Sequence, residues 1–566
     1  MNKLWQQRAL DLQAHEQLIR DQAHPLLAQL WAARGVSAKE DMDPALSHML
    51  DPLGMKGMAE AAVDLADAIE GQARMVIVAD YDCDGATACA VGLRGLRMLG
   101  ATWVQAVVPD RARDGYGLTP SIADRVKALD ADWLITVDNG IASVEGVTHD
   151  KQLGLKVLIT DHHLPGDQLP EAHHLVNPNQ PGCTYPSKHL SGVGVMFMLL
   201  VATRAVLRQR APDSPAALAR LDRLLPLVAL GTVADLVRLD VHNRRLVHQG
   251  LQRIRAGAMP EGLKALFEVS GRDHREANTA DLGFALGPRI NAAGRLSDMH
   301  VGIACLSEDD PSRSRELAQQ LDAINRQRRD LQADMNESAL ALAESAFQGL
   351  APKALCVFHP DFHEGVVGIV ASRLKEKWHR PSFVFAANAA EPDQLRGSGR
   401  SITGFHLRDA LDLIAKRHPG LLIRFGGHAM AAGCTIARTG LSEFAQAFAD
   451  LAHDWLAPED LEQQLIHDGP LPAQCLDLST AQLLRDQVWG QGFPEPVFCD
   501  TVRVHQQRIV GEKHLRLRIE HQGHMLQAIW FGRTEPLAND CRIAYVLETH
   551  TWQGQTSLQL RILDGQ

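Results

Sequence analysis

The stretch VIVADYDCDGATA (residues 76–88) sets Asp80, Asp82 and Asp84 on alternate positions directly after a run of apolar residues. A D-x-D-x-D-G pattern also opens the calcium-binding EF-hand loop, which requires a glutamate at loop position 12 and a helix on each side. The residue at that position is Val91, and the preceding MVIVAD is typical of a buried strand. The stretch therefore excludes an EF-hand and predicts a strand that ends in a cluster of carboxylates.

The length and composition of the chain indicate a multidomain globular protein. It has 566 residues, of which 45% are hydrophobic and 22% charged, and we expect three or four domains. A net charge of −11 argues against a surface covered with nucleic acid but is compatible with a local basic channel. The nine cysteines show no paired spacing, which favours a reducing cytoplasm. The most apolar stretch (193–203) is too short to span a bilayer, so we expect no membrane segment and no signal peptide.

Short apolar runs alternate with helical segments between about residues 55 and 180. This alternation predicts a parallel sheet that is covered by helices on both faces. The predicted strands lie at 75–80, 102–110, 132–138, 155–161 and 174–178.

The rest of the chain divides by pattern into further units. Residues 1 to about 50 have apolar residues near helical spacing. A long amphipathic helix is predicted from Pro311 to about Phe347, as a connector between domains. A second strand-and-helix unit follows from about residue 353 to about 455. The tail beyond about residue 470 alternates with period two, which is typical of a small β-barrel.

Most of the predicted strands in the first sheet end in side chains that can bind metal ions. Because the carboxyl ends of strands in an open α/β sheet meet at one crevice, we expect these groups to converge. Several carboxylates packed together repel one another unless cations neutralise them, and mixed carboxylate and imidazole ligands suit manganese or magnesium. A cluster rich enough for two ions is the arrangement used in phosphoester displacement. The residues are Asp80, Asp82, Asp84, Asp138, Asp161, His162, His163 and, farther along, Asp235.

Each of these residues also has a structural interpretation. An aspartate at the end of a strand is often a turn former or a helix N-cap. The coincidence of four such elements in one α/β pattern favours a metal centre. Asp80 and His163 are the members that could support the ligands rather than bind the ions.

The motifs resemble those of the DHH phosphoesterase superfamily. DYDCDGATA, VDNG, TDHH and GTVADLV match its successive motifs, and GSGRS (397–401) and FGGHAMAAG (425–433) resemble its DHHA1 domain. GYGLT (115–119), SGVGV (191–195) and GPRINAAGRL (287–296), with a tail that resembles an OB-fold, narrow the match to the bacterial single-strand-specific exonucleases. The resemblance covers nearly the whole chain. It implies a helical extension (1–54), a parallel-sheet DHH domain (55–265), a connecting region with a long helix (266–350), an α/β DHHA1 domain (351–456) and an OB-fold (457–566).

The resemblance also implies roles for individual residues. Asp138 would bridge two divalent cations, Mn²⁺ or Mg²⁺, His428 would act at the scissile phosphate, and His163 is a further candidate catalytic residue. The phosphatase branch of the superfamily has a histidine four residues before the D-x-D pair, where this chain has Val78, so Asp80 is a possible substitute. The other implied ligands are Asp82, Asp84, His162 and Asp235.

A pocket for the 5′ end of the strand is implied as well. The glycines of GSGRS are expected in a tight turn that lets the backbone approach a phosphate, with Ser398 and Arg400 as donors. Arg111 and Arg289 complete the implied pocket, and Arg113 and Arg295 are close rivals. In the tail, the candidate contacts to single strands are Trp530, Phe531 and Trp552, with Arg516, Arg518 and Arg533. Taken individually, each is more typical of barrel core or solvated surface than of a DNA contact.

The activity implied by the resemblance is 5′→3′ degradation of single-stranded DNA to mononucleotides in recombination and repair. The protein is expected to be monomeric and to work with single-stranded-DNA-binding protein and a helicase. Two alternatives remain: a phosphodiesterase for short oligonucleotides or cyclic dinucleotides, and a non-catalytic scaffold on the same fold. The long helix and the β-rich tail argue against the first, and the complete carboxylate set argues against the second.

Overall fold

The computed structural model describes residues 3–110, 114, 117–345, 352–389, 391–552 and 555–566, without the side chain of Trp552. Arg111, Arg113 and the first two residues of GYGLT lie outside the described residues, so their predicted roles stay predictions.

The N-terminal segment differs from the expected all-helical extension. It opens with strand β1 (Leu4–Gln7), followed by α1 (Leu12–Arg20) and α2 (Pro25–Ala32). Strand β1 pairs in parallel with β12 (Gln464–His467), which lies far away in sequence. A partner so distant cannot be recognised from a four-residue strand, and the helical prediction for this part was therefore wrong.

The first predicted sheet is present, with every strand parallel and in the order β3-β2-β4-β5-β6. Helices cover both faces, as predicted: Ile77 points into the cluster formed with α4 and α7, whereas Val76 and Val78 face α5 and α6. The elements are β2 (Met75–Ala79), β3 (Val104–Val107), β4 (Trp133–Val137), β5 (Lys156–Thr160), β6 (His174–Val176), α3 (Met58–Glu70), α4 (Cys83–Met98), α5 (Pro120–Lys127), α6 (Val144–Gln152), α7 (Gly192–Arg210), α8 (Leu225–Ala234), α9 (Val241–Arg255) and α10 (Glu261–Ser270).

Helix α7 is long and apolar enough by length and composition to cross a membrane. Its residues from Gly192 to Leu200 are all buried, and it packs against α3, α4 and α8. The helix therefore owes its apolar character to its place in the core of the domain.

A connecting region leads to the second half of the chain. It contains a π-helical segment (Asp281–Leu286), α11 (Gly287–Leu296), α12 (His300–Ser307) and the predicted long helix, α13 (Pro311–Ser345). Helix α13 packs against α10, α11 and α12 at its start and against α14 (Val367–Trp378) farther on.

The second α/β unit contains a mixed sheet in the order β10-β11-β9-β8-β7. Residues 397–400 of the GSGRS segment lie within strand β9 and Ser401 follows it, so the expected glycine-flanked turn was wrong. A Cβ on Gly397 would lie 2.3 Å from the ring of Phe385, and a Cβ on Gly399 would lie 2.5 Å from the ring of Phe383. The glycines therefore make room for aromatic rings. The elements are β7 (Leu355–Phe358), β8 (Ser382–Ala387), β9 (Gln394–Arg400), β10 (Leu422–Gly427), β11 (Ala431–Ala437), α15 (Leu407–Arg417) and α16 (Leu441–Trp455).

The tail forms the predicted closed barrel, in the order β13-β14-β15-β17-β16. Its core is continuous with that of the first domain, because Phe498 and Ile562 belong to the same apolar cluster as Ile77. Trp530 is buried in the barrel, so it is a core residue, which is the alternative that the sequence favoured over a contact to DNA. The elements are α17 (Leu478–Arg485), β13 (Phe498–Val510), β14 (His514–His521), β15 (His524–Trp530), β16 (Asp540–Trp552) and β17 (Gln555–Gly565).

Candidate metal centre and substrate cleft

The first aspartates lie in the turn from β2 into α4. Asp82 is the N-cap of α4, and its Oδ1 accepts hydrogen bonds from the backbone N–H groups of Asp84 (2.8 Å) and Gly85 (3.0 Å). A Cβ on Gly85 would lie 2.5 Å from the carbonyl oxygen of Asp80. The D-x-D-G spacing thus folds the chain tightly enough to bring the carboxylates of one short segment together.

Asp84 is fully buried against the start of α7. Its Oδ2 accepts a hydrogen bond from Gly192 N (2.6 Å), and its Oδ1 accepts one from Val193 N (2.9 Å). Two backbone donors at a helix N-terminus stabilise a negative charge there. A Cβ on Gly192 would lie 2.5 Å from Cβ of Asp138, so only glycine allows α7 to approach both aspartates. The sequence indicated no role for the SGVGV motif. In the structure, this motif supports the metal centre.

Asp138 follows β4 in a left-handed conformation, with φ = +61°. Such a φ is uncommon for a residue other than glycine and is found where the surrounding structure enforces it, often at functional sites. The carboxylate is buried, and its Oδ1 lies 3.0 Å from Nε2 of His162.

His162 directs one ring nitrogen into the carboxylate cluster. Its Nε2 lies 3.0 Å from Asp138, 3.6 Å from Asp235 and 3.9 Å from Asp84, measured to the nearest carboxylate oxygen. Burial lowers the pKa of His162 to about 4, and the ring donates a hydrogen bond to the backbone of Leu190. The ring is therefore neutral, and its buried Nε2 has no hydrogen-bond partner in the described part of the chain. A neutral nitrogen so close to carboxylate oxygens fits a metal ligand.

The carboxylates themselves are electrostatically frustrated. Burial raises the pKa of Asp84 and Asp138, and the charges of neighbouring aspartates raise it further. Burial and the charge of Asp82 raise the pKa of Asp235 to about 7. Divalent cations would relieve this repulsion and hold all of these groups ionised.

The ligand atoms converge in overlapping triads. The atoms of each triad lie within 4.8 Å of one another. Asp138 and His162 each belong to two triads, as expected if Asp138 lies between two ions. The triads are Asp80–Asp82–Asp138, Asp84–His162–Asp235 and Asp138–His162–His163. The structure thus brings together all six predicted metal ligands.

His163 differs from its neighbour His162 in charge. Burial alone would lower the pKa of His163, but the hydrogen bond (2.8 Å) and the charge of Asp161 raise it to about 9. Asp161 also accepts hydrogen bonds from the backbone N–H groups of Ile141, His162 and His163. Asp161 therefore supports the histidines, and in the metal-free protein His163 is an imidazolium at neutral pH.

Two groups of the centre were missed by sequence reasoning. The carbonyl of Leu190 orients His162, and the side-chain oxygen of Asn291 accepts a hydrogen bond from Cys83 N (2.7 Å) in the D-x-D turn. Both residues lie in or beside motifs that we quoted, SGVGV and GPRINAAGRL. The motifs marked these two segments in the sequence, but the residues themselves did not indicate which contacts Leu190 and Asn291 make.

The DHHA1-like unit supplies the opposite side of a cleft. His428 lies at the tip of the β10–β11 hairpin, where Gly427 has φ = +133° and His428 N donates to Ala431 O (2.8 Å). Burial and the charge of His163 both lower the pKa of His428, so the two side chains lie near enough to interact electrostatically. The role of His428 at the scissile phosphate stays a prediction.

The predicted end-pocket residues separate into two groups. Ser398 and Arg400 lie together beside the first turn of α14, because a Cβ on Gly368 would lie 3.0 Å from Ser398 Oγ and 2.9 Å from Arg400 Nη2. Arg289 instead pairs with Asp322 on α13 at 2.9 Å. Its rival Arg295 donates to Gly365 O (3.2 Å), just before α14.

Three family models match the chain. They are described as the DHH family N-terminal domain (residues 74–232), the DHHA1 domain (351–457) and the RecJ OB domain (467–564). Proteins named single-stranded-DNA-specific exonuclease RecJ match nearly the whole chain. The one from Salmonella typhimurium is 45% identical over 552 residues, which cover 95% of each chain. The one from Dickeya dadantii is 46% identical and covers 96% of each.

The chain belongs to the RecJ family.

Solved RecJ structures share the fold. A crystal structure of RecJ in complex with Mn²⁺ from Thermus thermophilus covers 100% of this chain and 79% of its own, with a TM-score of 0.82 and 29% identity. The corresponding Mg²⁺ complex has a TM-score of 0.76 and 28% identity, and covers 99% of this chain and 78% of its own. The predicted architecture of DHH domain, DHHA1 domain and OB barrel in a RecJ-type chain is confirmed.

Proposed function

We propose that this chain is a metal-dependent exonuclease that degrades single-stranded DNA from its 5′ end to mononucleotides, in DNA recombination and repair. The observation that carries the proposal is the convergence of six candidate metal ligands, among which Asp138 and His162 are shared between triads, with His428 of the DHHA1 domain near enough to His163 to interact electrostatically. Membership of the RecJ family, whose curated members are named single-stranded-DNA-specific exonucleases, supports the substrate class.

We assign two divalent cations, Mn²⁺ or Mg²⁺, to this centre. Relatives of known structure were solved with each of these ions, and the mixed carboxylate and imidazole donors suit both. Bound there, the pair of ions supplies an activated water and neutralises charge that develops on the phosphate. The residues that would hold the ions are Asp80, Asp82, Asp84, Asp138, His162 and Asp235.

The two histidines of the cleft have separate roles in the proposal. His163 stays protonated because Asp161 holds its pKa at about 9, so its cationic ring binds a non-bridging oxygen of the scissile phosphate. His428, on the other side, donates to the same phosphate group from the DHHA1 domain. Asp161 acts through His163, and its hydrogen bonds to backbone N–H groups hold both histidines in place.

We propose that a pocket for the terminal phosphate sets the 5′→3′ direction of cleavage. Arg400 and Ser398 lie at the N-terminal turn of α14, where helix N–H groups favour an anion. Arg295 is the better placed of the two rival arginines, since it contacts the segment just before α14 and Arg289 is engaged by Asp322. Arg111 keeps its predicted role in this pocket.

The OB barrel is proposed to hold the strand beyond the active site. Phe531 is about half exposed on the barrel, as expected of a residue that stacks on bases. We further propose a cytoplasmic monomer that works with single-stranded-DNA-binding protein and a helicase. All nine cysteines are free thiols, which agrees with a reducing compartment.

The direct test uses one oligonucleotide labelled at either end. With Mn²⁺, the purified protein should release labelled mononucleotide at once from a 5′-labelled single strand, and should shorten a 3′-labelled strand progressively. The same sequence annealed into a blunt duplex should resist cleavage. Immediate release of the 3′ label would reverse the polarity, and cleavage of only cyclic or very short substrates would favour the small-substrate alternative.

A further inference from the structure

The proposed metal ligand Asp235 lies where helix α8 ends and a partly buried loop begins. The loop that follows, residues 236–240, is here called the Asp235 loop, and α9 begins directly after it. Leu236 has φ = +61°, so the chain turns sharply as soon as it leaves Asp235. Asp235 N donates to Gly231 O (2.9 Å) on the helix side, and the loop holds the chain on the other side of Asp235.

A turn from the far end of the sequence contacts the Asp235 loop. It has the sequence WGQGF (residues 489–493) and precedes the OB barrel. Gly490 N donates to Phe493 O (2.9 Å) and Phe493 N donates to Gly490 O (3.0 Å), which closes the turn. The rings of Trp489 and Phe493 stack with centroids 5.3 Å apart, and both are buried. This segment, here called the WGQGF turn, is a rigid unit packed into the first domain.

The contact between turn and loop is close and specific. Leu239 N donates to Gln491 O at 2.8 Å. A Cβ on Gly490 would lie 2.6 Å from Leu239 Cδ1, and a Cβ on Gly492 would lie 2.4 Å from Arg238 Cγ. Gly492 also has φ = +73°. Glycine is therefore required at position 492, and at position 490 the side chain of Leu239 leaves little room for a Cβ.

The other side of the Asp235 loop is tied to the residues behind His162. The buried amide of Asn243 donates to Arg238 O (2.9 Å) and to His189 O (2.7 Å). His189 precedes Leu190, whose backbone accepts the hydrogen bond from the His162 ring. The loop is thus held between the WGQGF turn and the segment that orients a second metal ligand.

We propose that the WGQGF turn is a positioning element of the metal centre, which fixes Asp235 by holding Arg238 and Leu239. The inference rests on the proposed metal-dependent function. Outer partners of metal ligands typically change metal affinity by 10- to 100-fold when they are altered. Because the turn leads directly into the OB barrel, it joins the strand-binding barrel to one ligand of the reaction centre.

The test compares two glycine-to-alanine substitutions of the same kind. Gly492→Ala places a methyl group against Arg238 at positive φ. The control is Gly469→Ala. Gly469 also has a positive φ (+89°), and a Cβ at this position would lie 2.9 Å from Gln7 Nε2, where the chain contacts the N-terminal segment. Mn²⁺ binding is measured by electron paramagnetic resonance without DNA, with single-strand binding in EDTA and thermal unfolding measured in parallel.

We expect Gly492→Ala to weaken Mn²⁺ binding by about 10- to 100-fold, while single-strand binding in EDTA stays within about twofold of wild type. Gly469→Ala should leave Mn²⁺ binding within about twofold. Wild-type Mn²⁺ affinity in Gly492→Ala, or an equal loss in both variants, would overturn the inference. Neither result would affect the proposed function, which instead fails if the wild-type protein shows no Mn²⁺-dependent cleavage.

A second pair of changes keeps the test decisive if Gly492→Ala does not fold. Gly490→Ala adds a methyl group against Leu239, and Leu239→Val shortens the side chain that it meets. The double variant should recover Mn²⁺ affinity that Gly490→Ala loses. Absence of any loss in Gly490→Ala, or of recovery in the double variant, would contradict a positioning role.

Discussion

Replacing Arg400 by alanine should selectively reduce cleavage of strands that carry a 5′ phosphate. The guanidinium of Arg400 lies on the face of β9 that also carries Ser398, with Nη1 3.1 Å from Ser398 Oγ and 2.8 Å from Gly399 O. It is therefore held in place before any substrate binds. A terminal phosphate is a dianion, which suits a forked donor held beside a hydroxyl and a helix N-terminus.

The size of the effect follows from the kind of contact that is lost. A hydrogen bond to a charged group contributes about 1.5–3 kcal/mol, and about 1.4 kcal/mol corresponds to a tenfold change in rate. Arg400→Ala should therefore lower kcat/KM about 10- to 100-fold on 5′-phosphorylated strands and less than about threefold on 5′-hydroxyl strands. The assay measures kcat/KM for both ends of the same oligonucleotide.

Arg396 provides a matched control on the same face of the strand. It lies four residues earlier on β9 and pairs with Glu364 at 3.0 Å. Arg396→Ala should lower both rates by the same small factor. An equal loss on both substrates for Arg400→Ala would place this arginine at the scissile phosphate and refute the end-pocket assignment.

Three further predictions concern the metal centre, the barrel and the stability of the first domain. Asp138→Asn should lower cleavage at saturating Mn²⁺ by at least about 1,000-fold, because the shared ligand loses its charge; retention of more than about a tenth of the rate would contradict its role. Phe531→Ala should raise KM for long single strands about 5- to 100-fold with little change in kcat, since it removes one stacking contact; Met525→Ala, on the same barrel, is the control and should change KM by less than about twofold. Asp150 is buried, its carboxylate has no hydrogen-bond partner in the described part of the chain, and burial raises its pKa to about 7. Because the folded state then binds the proton more tightly than the unfolded state, the free energy of unfolding falls as the pH rises from about 4 to about 7. Asp150→Asn should therefore stabilise the metal-free protein by about 2–4 kcal/mol at pH 8 and by almost nothing at pH 4, measured by thermal unfolding; equal shifts at both pH values would contradict the assignment.

The ligand set of the metal centre could be read from the sequence because its signals are local. Each ligand-bearing segment of the parallel sheet is an apolar run that ends in an aspartate or histidine, and parallel strands bring those ends to one edge. The long helix α13 and the alternating barrel strands were also predictable, because their apolar residues recur with periods of 3.6 and 2 within one short stretch of sequence.

The roles of several glycines could not be read in the same way. GSGRS suggested a phosphate-binding turn, yet Gly397 and Gly399 lie in a strand against Phe385 and Phe383. A glycine in sequence indicates only that a side chain is excluded. Whether a phosphate, a ring or another backbone fills the space depends on residues that are distant along the chain.

The sequence by itself determined which side chains are candidate metal ligands and which architecture presents them, because both depend on residue type and on short-range periodicity. The tertiary structure alone decided how those ligands are held and charged. Asp84 is stabilised by the N-terminus of α7, His163 is protonated through Asp161, and β1 pairs with β12 across almost the whole chain. These properties arise from burial and from contacts between distant segments, and no pattern of neighbouring residues encodes either.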